Sequence, residues 1–390
     1  MAFSQIMYIE IKEDVIRDAI RKKELEINDS LDLLLLMALC AKQGKHIVSV
    51  PCLLTNTDLS KELTAMMGKG NFGALYRYNS YRYKYKTVIA QLSIKCVISY
   101  EPKADDEGGV IWVIPYKNSE FEPWVETYVL TENLADSTFF TYLAYYYANN
   151  YILRGMAKNS DLAFNFYPLM GGGVTIDKVL QMEIKRKQHF CLTIADSDKK
   201  WNDDTTFGET AQNMMNSIET FNPFNCRLYV MNKVREIENL IPRKLVEQFG
   251  DRNGFWEIFK YDPSFFDMKV GLCLSELWHR EVYKYWKDML GDTSIFTEYN
   301  SIWHRCCQNK KNYDQEIKGK EPIKKGFGKN LLSLTIGDIN YVKEIKKYNP
   351  KMIDSLYSIT PDELTPAQQE EWKNIGQLMF SWTCCLKCKI

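Results

Sequence analysis

Between residues 126 and 231, short apolar runs alternate with stretches of helical length, and this restricts the fold more than any other feature of the chain. ETYVL (126–130), AFNFYPL (163–169), HFCLTIA (189–195) and CRLYVM (226–231) read as strands, and helices are expected at about 137–151, 175–186 and 208–220. Strands that alternate with helices form a parallel, doubly wound sheet of α/β class. Its strands are short and almost wholly apolar because helices cover both faces. In such sheets ligands gather beyond the carboxyl ends of the strands.

Around this block the pattern changes. Residues 1–118 read as an N-terminal α+β domain: helices near 12–23, from Ser30 to Gly44 and from Asp58 or Ser60 to Gly68–Gly70, then a β-rich stretch, ALYRYNSYRYKYKTVIAQLSIKCVISY, followed by VIWVIPY. Helices followed by a strand pair are compatible with a winged helix. KNSEFEP (117–123) reads as a linker, so the central domain spans 119–275, and 276–390 reads as a mainly helical, Trp-rich extension. At 390 residues the chain has room for two or three domains.

Each expected strand of the central block ends in chemistry-bearing residues. VLTENLADSTFF places Glu132 at a strand end and Asp136 at the next helix start. YPLMGGGVTIDKV places Gly171, Gly172 and Gly173 before a helix, where backbone can approach a ligand closely; Gly172 and Gly173 are candidate substrate contacts. CLTIADSDKK ends in Asp196-Ser197-Asp198, and LYVMNKVREIENLIP leads to Glu236 and Glu238. Carboxylates gathered at one sheet edge repel one another unless a cation neutralises them. Hard oxygen ligands select Mg²⁺ or Mn²⁺. A carboxylate-held ion of that kind suits phosphodiester chemistry, activating water and stabilising the leaving oxygen.

The order of these elements (Glu, glycine triplet, Asp-x-Asp, Glu-Asn) resembles the TOPRIM domain, especially the branch of the overcoming-lysogenization-defect nucleases and related phage-defence effectors. VLTEN with Asp136 is similar to the family's glutamate motif, ADSD to its Asp-x-Asp motif, and REIEN to the segment supplying a further carboxylate, here taken as Glu238. FFDMKVGL, with Asp267 and Lys269, resembles the downstream Asp-x-Lys element. The match covers roughly 126–275, with Asn133 where the family usually has Gly. The resemblance implies that Glu132, Asp196 and Asp198 hold the metal and that Glu132 doubles as proton acceptor for the attacking water. Glu238 completes a second metal position, and Lys269 faces the phosphate. It also implies a toxic antiviral effector acting on DNA or tRNA, held inactive by a separate ATPase, reverse transcriptase or other sensor chain. A homo-oligomer is compatible with it.

Other features mark out alternatives. In Tyr76–Lys86, read as a strand, Arg77, Arg82 and Lys84 would line one face and tyrosines the other, which suits nucleic acid or an edge strand with a Tyr-lined inner face. The basic run 309–329 is a second candidate nucleic-acid surface. Cys384, Cys385 and Cys388 with Cys306, Cys307 and His304 supply only one Cys-x-x-Cys half of a zinc site. GKGNFG and GFGKN both fail the P-loop pattern, so no ATPase is expected in this chain. Fifty basic against fifty acidic residues exclude attachment to nucleic acid by bulk charge alone. The longest apolar run, Leu33–Cys40, is far short of the ~20 residues that span a bilayer, so no membrane association is expected. Eleven scattered cysteines fit a reducing cytoplasm. The competing reading is a regulatory protein that binds nucleic acid or a partner through a non-catalytic domain of the same kind. Topoisomerase or primase chemistry would need a companion nucleophilic Tyr in a recognisable setting, and none is visible.

Overall fold

The computed structural model describes residues 8–43, 46–84, 86–102, 109–115, 127–153, 162–164, 166–247, 262–291, 296–297, 300–301, 324–336 and 356–386. The expected linker at 117–123, most of the basic run 309–329, and His304, Cys306, Cys307 and Cys388 lie outside them. The protein is α/β, with parallel sheets and many helices. It divides into two compact units. The first comprises Met1–Ile194, Met214–Tyr229 and Asn374–Ile390, and the second Ala195–Asn213 and Val230–Lys373. No helix among the described residues is long and apolar enough to cross a membrane.

The first unit opens on a four-stranded sheet in the order β2-β1-β3-β4, built from β1 (Tyr8–Ile11), β2 (Ile47–Ser49), β3 (Lys95–Ile98) and β4 (Val110–Val113). All three pairings in it are parallel, including β3 with β4. The β-rich end of residues 1–118 thus joins a small parallel sheet, and the strand pair does not form the antiparallel wing that a winged helix needs. The tyrosine-rich stretch is helical as well: Arg77, Arg82 and Lys84 lie on helix Lys69–Lys84, not on a strand. Its polar–aromatic alternation has period 2, and at 3.6 residues per turn that alternation no longer sorts the two types onto opposite faces. The β-preference of Tyr yields here to packing, since Ala74 and Leu75 are buried from this helix. The preceding helix Thr57–Met67 starts at Asn56, whose Oδ1 accepts from the Asp58 and Leu59 amides. Asn28, not Ser30, supplies the start of helix Asp29–Gln43, its Oδ1 accepting from the Leu31 amide at 3.1 Å. Ser30 is free to donate to Asp18 Oδ2 at 2.9 Å.

The second sheet has the order β7-β5-β8-β9: β5 (Tyr128–Thr131), β7 (Tyr167–Met170), β8 (Cys191–Ala195) and β9 (Cys226–Val230). β5 runs parallel to both β7 and β8. β8 is buried at every residue, as its unbroken apolar sequence anticipates. The connecting helices are Leu134–Tyr147, Ile176–Arg186 and Glu209–Phe221. The first is fixed at its start by Asn133, whose amide donates to Asp136 Oδ2 at 2.8 Å, and it ends in a π-helical turn, Ala148–Ile152. The run read as one strand at 163–169 is two, because β6 (Leu162–Phe164) pairs antiparallel with a strand at Cys384–Leu386 instead of joining β7.

The expected boundary at 118/119 does not separate compact units. Tyr8 and Ile47 share one apolar cluster with Tyr147, Ala148, Ile152, Phe380 and Cys384, so the first sheet buries surface against the helix and π turn that follow β5 and against residues near the end of the chain. Burying a large apolar side chain contributes about 1.5–3 kcal/mol, which makes such a shared core the dominant organiser of the unit. Nor does 275/276 divide them, since the second unit runs from Val230 to Lys373. Its described elements include helix Arg280–Leu290, which buries Val282, Trp286 and Leu290. Trp286 meets Phe266 edge-to-face at 6.0 Å. Residues 366–373 of helix Pro366–Thr383 belong to this unit and 374–383 to the first.

Within the first unit two helices approach closely at Gly376. A Cβ there would lie 2.4 Å from the Leu143 carbonyl oxygen and 2.8 Å from Tyr147 Cβ. Backbone on the opposing helix cannot step aside as a flexible side chain can. Gly376→Ala should therefore lower unfolding free energy by about 1–3 kcal/mol, read by urea denaturation, despite the better helix propensity of Ala.

Candidate metal centre

The second unit takes up the chain one residue before Asp196 and again at Val230, so the segments after β8 and β9 both enter it. They are stitched together by backbone. The Ser197 and Asp198 amides donate to the Arg235 carbonyl, both at 3.0 Å, and Ser197 Oγ donates to the Val234 carbonyl at 2.7 Å. A third segment, 262–270, is added by one buried amide. Asn239 Oδ1 accepts from the Glu236 amide at 2.9 Å, while its Nδ2 donates to the carbonyls of Pro263 (2.7 Å) and Phe266 (2.9 Å). Glu236 thus stands just before the short 3₁₀ turn Ile237–Leu240, and Glu238 is inside it.

These segments gather three carboxylates. Oxygens of Asp196, Glu236 and Glu238 all lie within 4.8 Å of one another. Asp196 and Glu236 each commit one oxygen to backbone and present the other inward. Asp196 Oδ1 accepts from the Ile237 amide at 2.9 Å, and Glu236 Oε1 accepts from the amides of Met268 (2.7 Å) and Lys269 (3.2 Å). The remaining oxygens face a single ammonium. Lys269 Nζ lies 3.7 Å from Asp196 Oδ2, 3.3 Å from Glu236 Oε2 and 3.1 Å from Glu238 Oε2. Beside it, Arg235 Nη2 bridges Asp267 Oδ2 (3.1 Å) and Glu276 Oε1 (2.8 Å). Asp267 Oδ1 accepts from the amides of Lys269 and Val270.

Five carboxylates therefore meet two cationic side chains, an excess of three negative charges when all are ionised. Two like charges 4 Å apart repel by roughly 4 kcal/mol at an effective dielectric of 20, so the excess is costly. The ionisations answer to it. Burial first, then the neighbouring Glu238 charge, push the Glu236 carboxyl up to about 8. Burial alone would lower Lys269, but Asp196, Glu236 and Glu238 outweigh it and hold the ammonium charged far above its usual range. Burial likewise opposes the Arg235 charge, and Glu276 and Asp267 overcome it. The donor set is all hard oxygen and fits Mg²⁺ or Mn²⁺. The place where the fold favours a cation is marked by the ammonium itself. With the side chains of Lys269 27% and Asp196 13% exposed, the cluster is open to solvent on that side.

Of the residues expected from sequence, Asp196, Glu238 and Lys269 meet here. Glu236 was legible only as the neighbour of Glu238 in REIEN, and two carboxylates two residues apart beyond β9 were the available signal. Arg235 and Glu276 carried none. Asp198 is not one of the three clustered carboxylates. It is exposed, has a left-handed backbone (φ 55°), and aims Oδ2 at Gly208, where a Cβ would lie 2.1 Å away. Glu132 belongs to the first unit, at the end of β5, where its carbonyl accepts from the Gly172 amide at 3.1 Å. Gly172, left-handed at φ 67°, and Gly173 form the turn into helix Ile176–Arg186.

Two outcomes follow for the metal-free protein. Lys269→Met leaves three carboxylates without their shared ammonium and should lower stability by on the order of 3 kcal/mol in urea denaturation. Glu236 binds its proton more tightly folded than unfolded, so between about pH 4.5 and 8 the folded state holds the extra proton and stability falls as pH rises. Glu236→Gln should flatten that fall when urea midpoints are compared at pH 5 and pH 8. No family model, no curated protein and no solved structure matches the chain.

Proposed function

We propose that the protein is a TOPRIM-type nuclease that hydrolyses phosphodiester bonds of DNA or tRNA with Mg²⁺ or Mn²⁺. The observation that carries the reading is the meeting of Asp196, Glu236 and Glu238 around Lys269, three of them named by sequence motifs that resemble that family. The parallel sheet β7-β5-β8 leading into Glu132 and Asp196 is compatible with it.

Asp196, Glu236 and Glu238 would hold the ion. When bound there, it supplies Lewis-acid activation of water and neutralises charge on the phosphodiester. Asp196 and Glu236 reach the centre already anchored, because backbone amides fix one oxygen of each and leave the other directed inward. Such preorganisation removes the cost of ordering ligands at the moment of binding. Lys269 would present its ammonium to a phosphate oxygen and stabilise the charge that develops there. Asp267 receives the Lys269 and Val270 amides, which fixes the backbone from which that side chain projects. The resemblance also assigns Glu132 and Asp198 to the reaction.

The resemblance further implies a toxic effector of antiviral defence, restrained by a separate ATPase, reverse transcriptase or sensor chain, and the scattered cysteines fit a reducing cytoplasm. The second reading, a non-catalytic regulator, is favoured by one observation: Lys269 already meets all three carboxylates, as a purely structural ion-pair network would.

Incubation of the purified protein with plasmid DNA and with tRNA, with and without Mg²⁺, separates the two. Cleavage that needs the metal and falls by about 100-fold or more in Asp196→Asn and Glu236→Gln supports the nuclease. Equal residual cleavage in wild type and both variants supports the regulator. Glu132→Ala and Asp198→Ala, assayed in parallel, test the two assignments that rest on motif alone.

A further inference from the structure

The segment that carries Glu236 and Glu238 is gripped on both sides by one turn and a half of a distant helix. Glu371 is fully buried, and its Oε1 accepts from the amides of both Asn232 and Lys233 at 2.7 Å. One turn earlier Gln368, 2% exposed, donates from Nε2 to the carbonyls of Asn239 (2.8 Å) and Ile241 (3.1 Å). Trp372, also fully buried, donates from Nε1 to the Leu240 carbonyl at 2.8 Å. The partners are 127 to 139 residues apart in sequence. From the other side, Lys199 Nζ donates to Asn232 Oδ1. Residues 232–233 and 239–241 are therefore both tied down, and the two glutamates stand between the ties.

We infer that Glu371 and Gln368 are positioning residues for the acidic centre. They set where Glu236 and Glu238 stand relative to Asp196, and so set its affinity for a divalent cation. A buried carboxylate is costly, and Glu371 answers that cost with two backbone donors in the turn that follows β9. The inference deepens the nuclease reading and rests on it for the identity of the ligand. The geometric part, that residues 368–372 hold 232–241 in place, does not. Displacements near 1 Å can cost such a site about 100-fold, and three oxygens brought within 4.8 Å of one another leave little slack.

The test uses the full-length protein and Mn²⁺ as the probe. Isothermal titration calorimetry gives affinity, hydrogen exchange of the 232–241 amides gives local opening, and a thermal melt gives global stability. Glu371→Ala and Gln368→Ala should each weaken Mn²⁺ binding by about 10–100-fold and speed exchange in 232–241, at temperatures well below the melt. Glu371→Gln, which keeps an acceptor oxygen for the two amides, should recover most of the affinity. Glu370→Ala, which removes an exposed side chain paired only loosely with Lys233 at 3.4 Å, serves as the control and should match wild type. Wild-type affinity and wild-type exchange in both alanine variants overturn the inference. If Glu371→Ala does not fold, Gln368→Ala and Glu371→Gln carry the same comparison. Failure of the underlying reading looks different: wild type does not bind Mn²⁺, or Asp196→Asn binds it equally well. Exchange in 232–241 then still decides whether the helix holds the segment.

Discussion

Crowded negative charge is the constraint on which the second unit depends. Three carboxylates within 4.8 Å of one another cannot all be ionised in a half-buried pocket without a cation between them. The chain supplies one ammonium, from Lys269, and the shifted ionisations of Glu236 and Lys269 record how tightly the groups are linked. Arg235 manages the adjoining pair, Asp267 and Glu276, by the same device. A fold selected for stability alone would reach it more cheaply with apolar side chains of similar volume, because desolvating ion pairs often costs what their attraction returns. That asymmetry gives the cluster its functional reading.

Backbone amides rather than side chains do most of the aiming. The Ile237, Met268 and Lys269 amides each take a carboxylate oxygen of the cluster, and Asn239 draws the turn at Glu236 onto the 263–266 segment. The centre is thus assembled from three stretches of chain, 195–198, 234–240 and 262–270, and holds its shape only while all three are docked. This is a different construction from the first unit, where the first parallel sheet and helices distant in sequence share an apolar cluster that runs from Tyr8 to Cys384.

Much of the first unit could be read from the chain, because its periodicities are local. β5, β8 and β9 and their helices fall within a few residues of the apolar runs that foretold them. Asp196, Glu238 and Lys269 were legible as strand-end and motif residues. What escaped depended on tertiary context. The alternation that begins at Tyr76 is a strand signal by period, yet as far as Lys84 it is helix by packing, as Ala74 and Leu75 show. The parallel pairing of β3 with β4 is invisible in strands that would serve equally in a hairpin. Glu236 was hidden by its neighbour, since nothing local says that a fold will bury both of two nearby glutamates at one centre. Gln368 and Glu371 were out of reach altogether, sitting in an ordinary polar stretch more than 120 residues from their partners.

That long separation has a consequence during synthesis. A ribosome adding about 5–20 residues per second makes Asn232 roughly 7–28 s before Glu371, 139 positions later. Through that interval the glutamates exist without the helix that braces them. The centre is thus among the last features of the nascent protein to take its final form, and a chain cut short before residue 368 would carry the acids but not their brace.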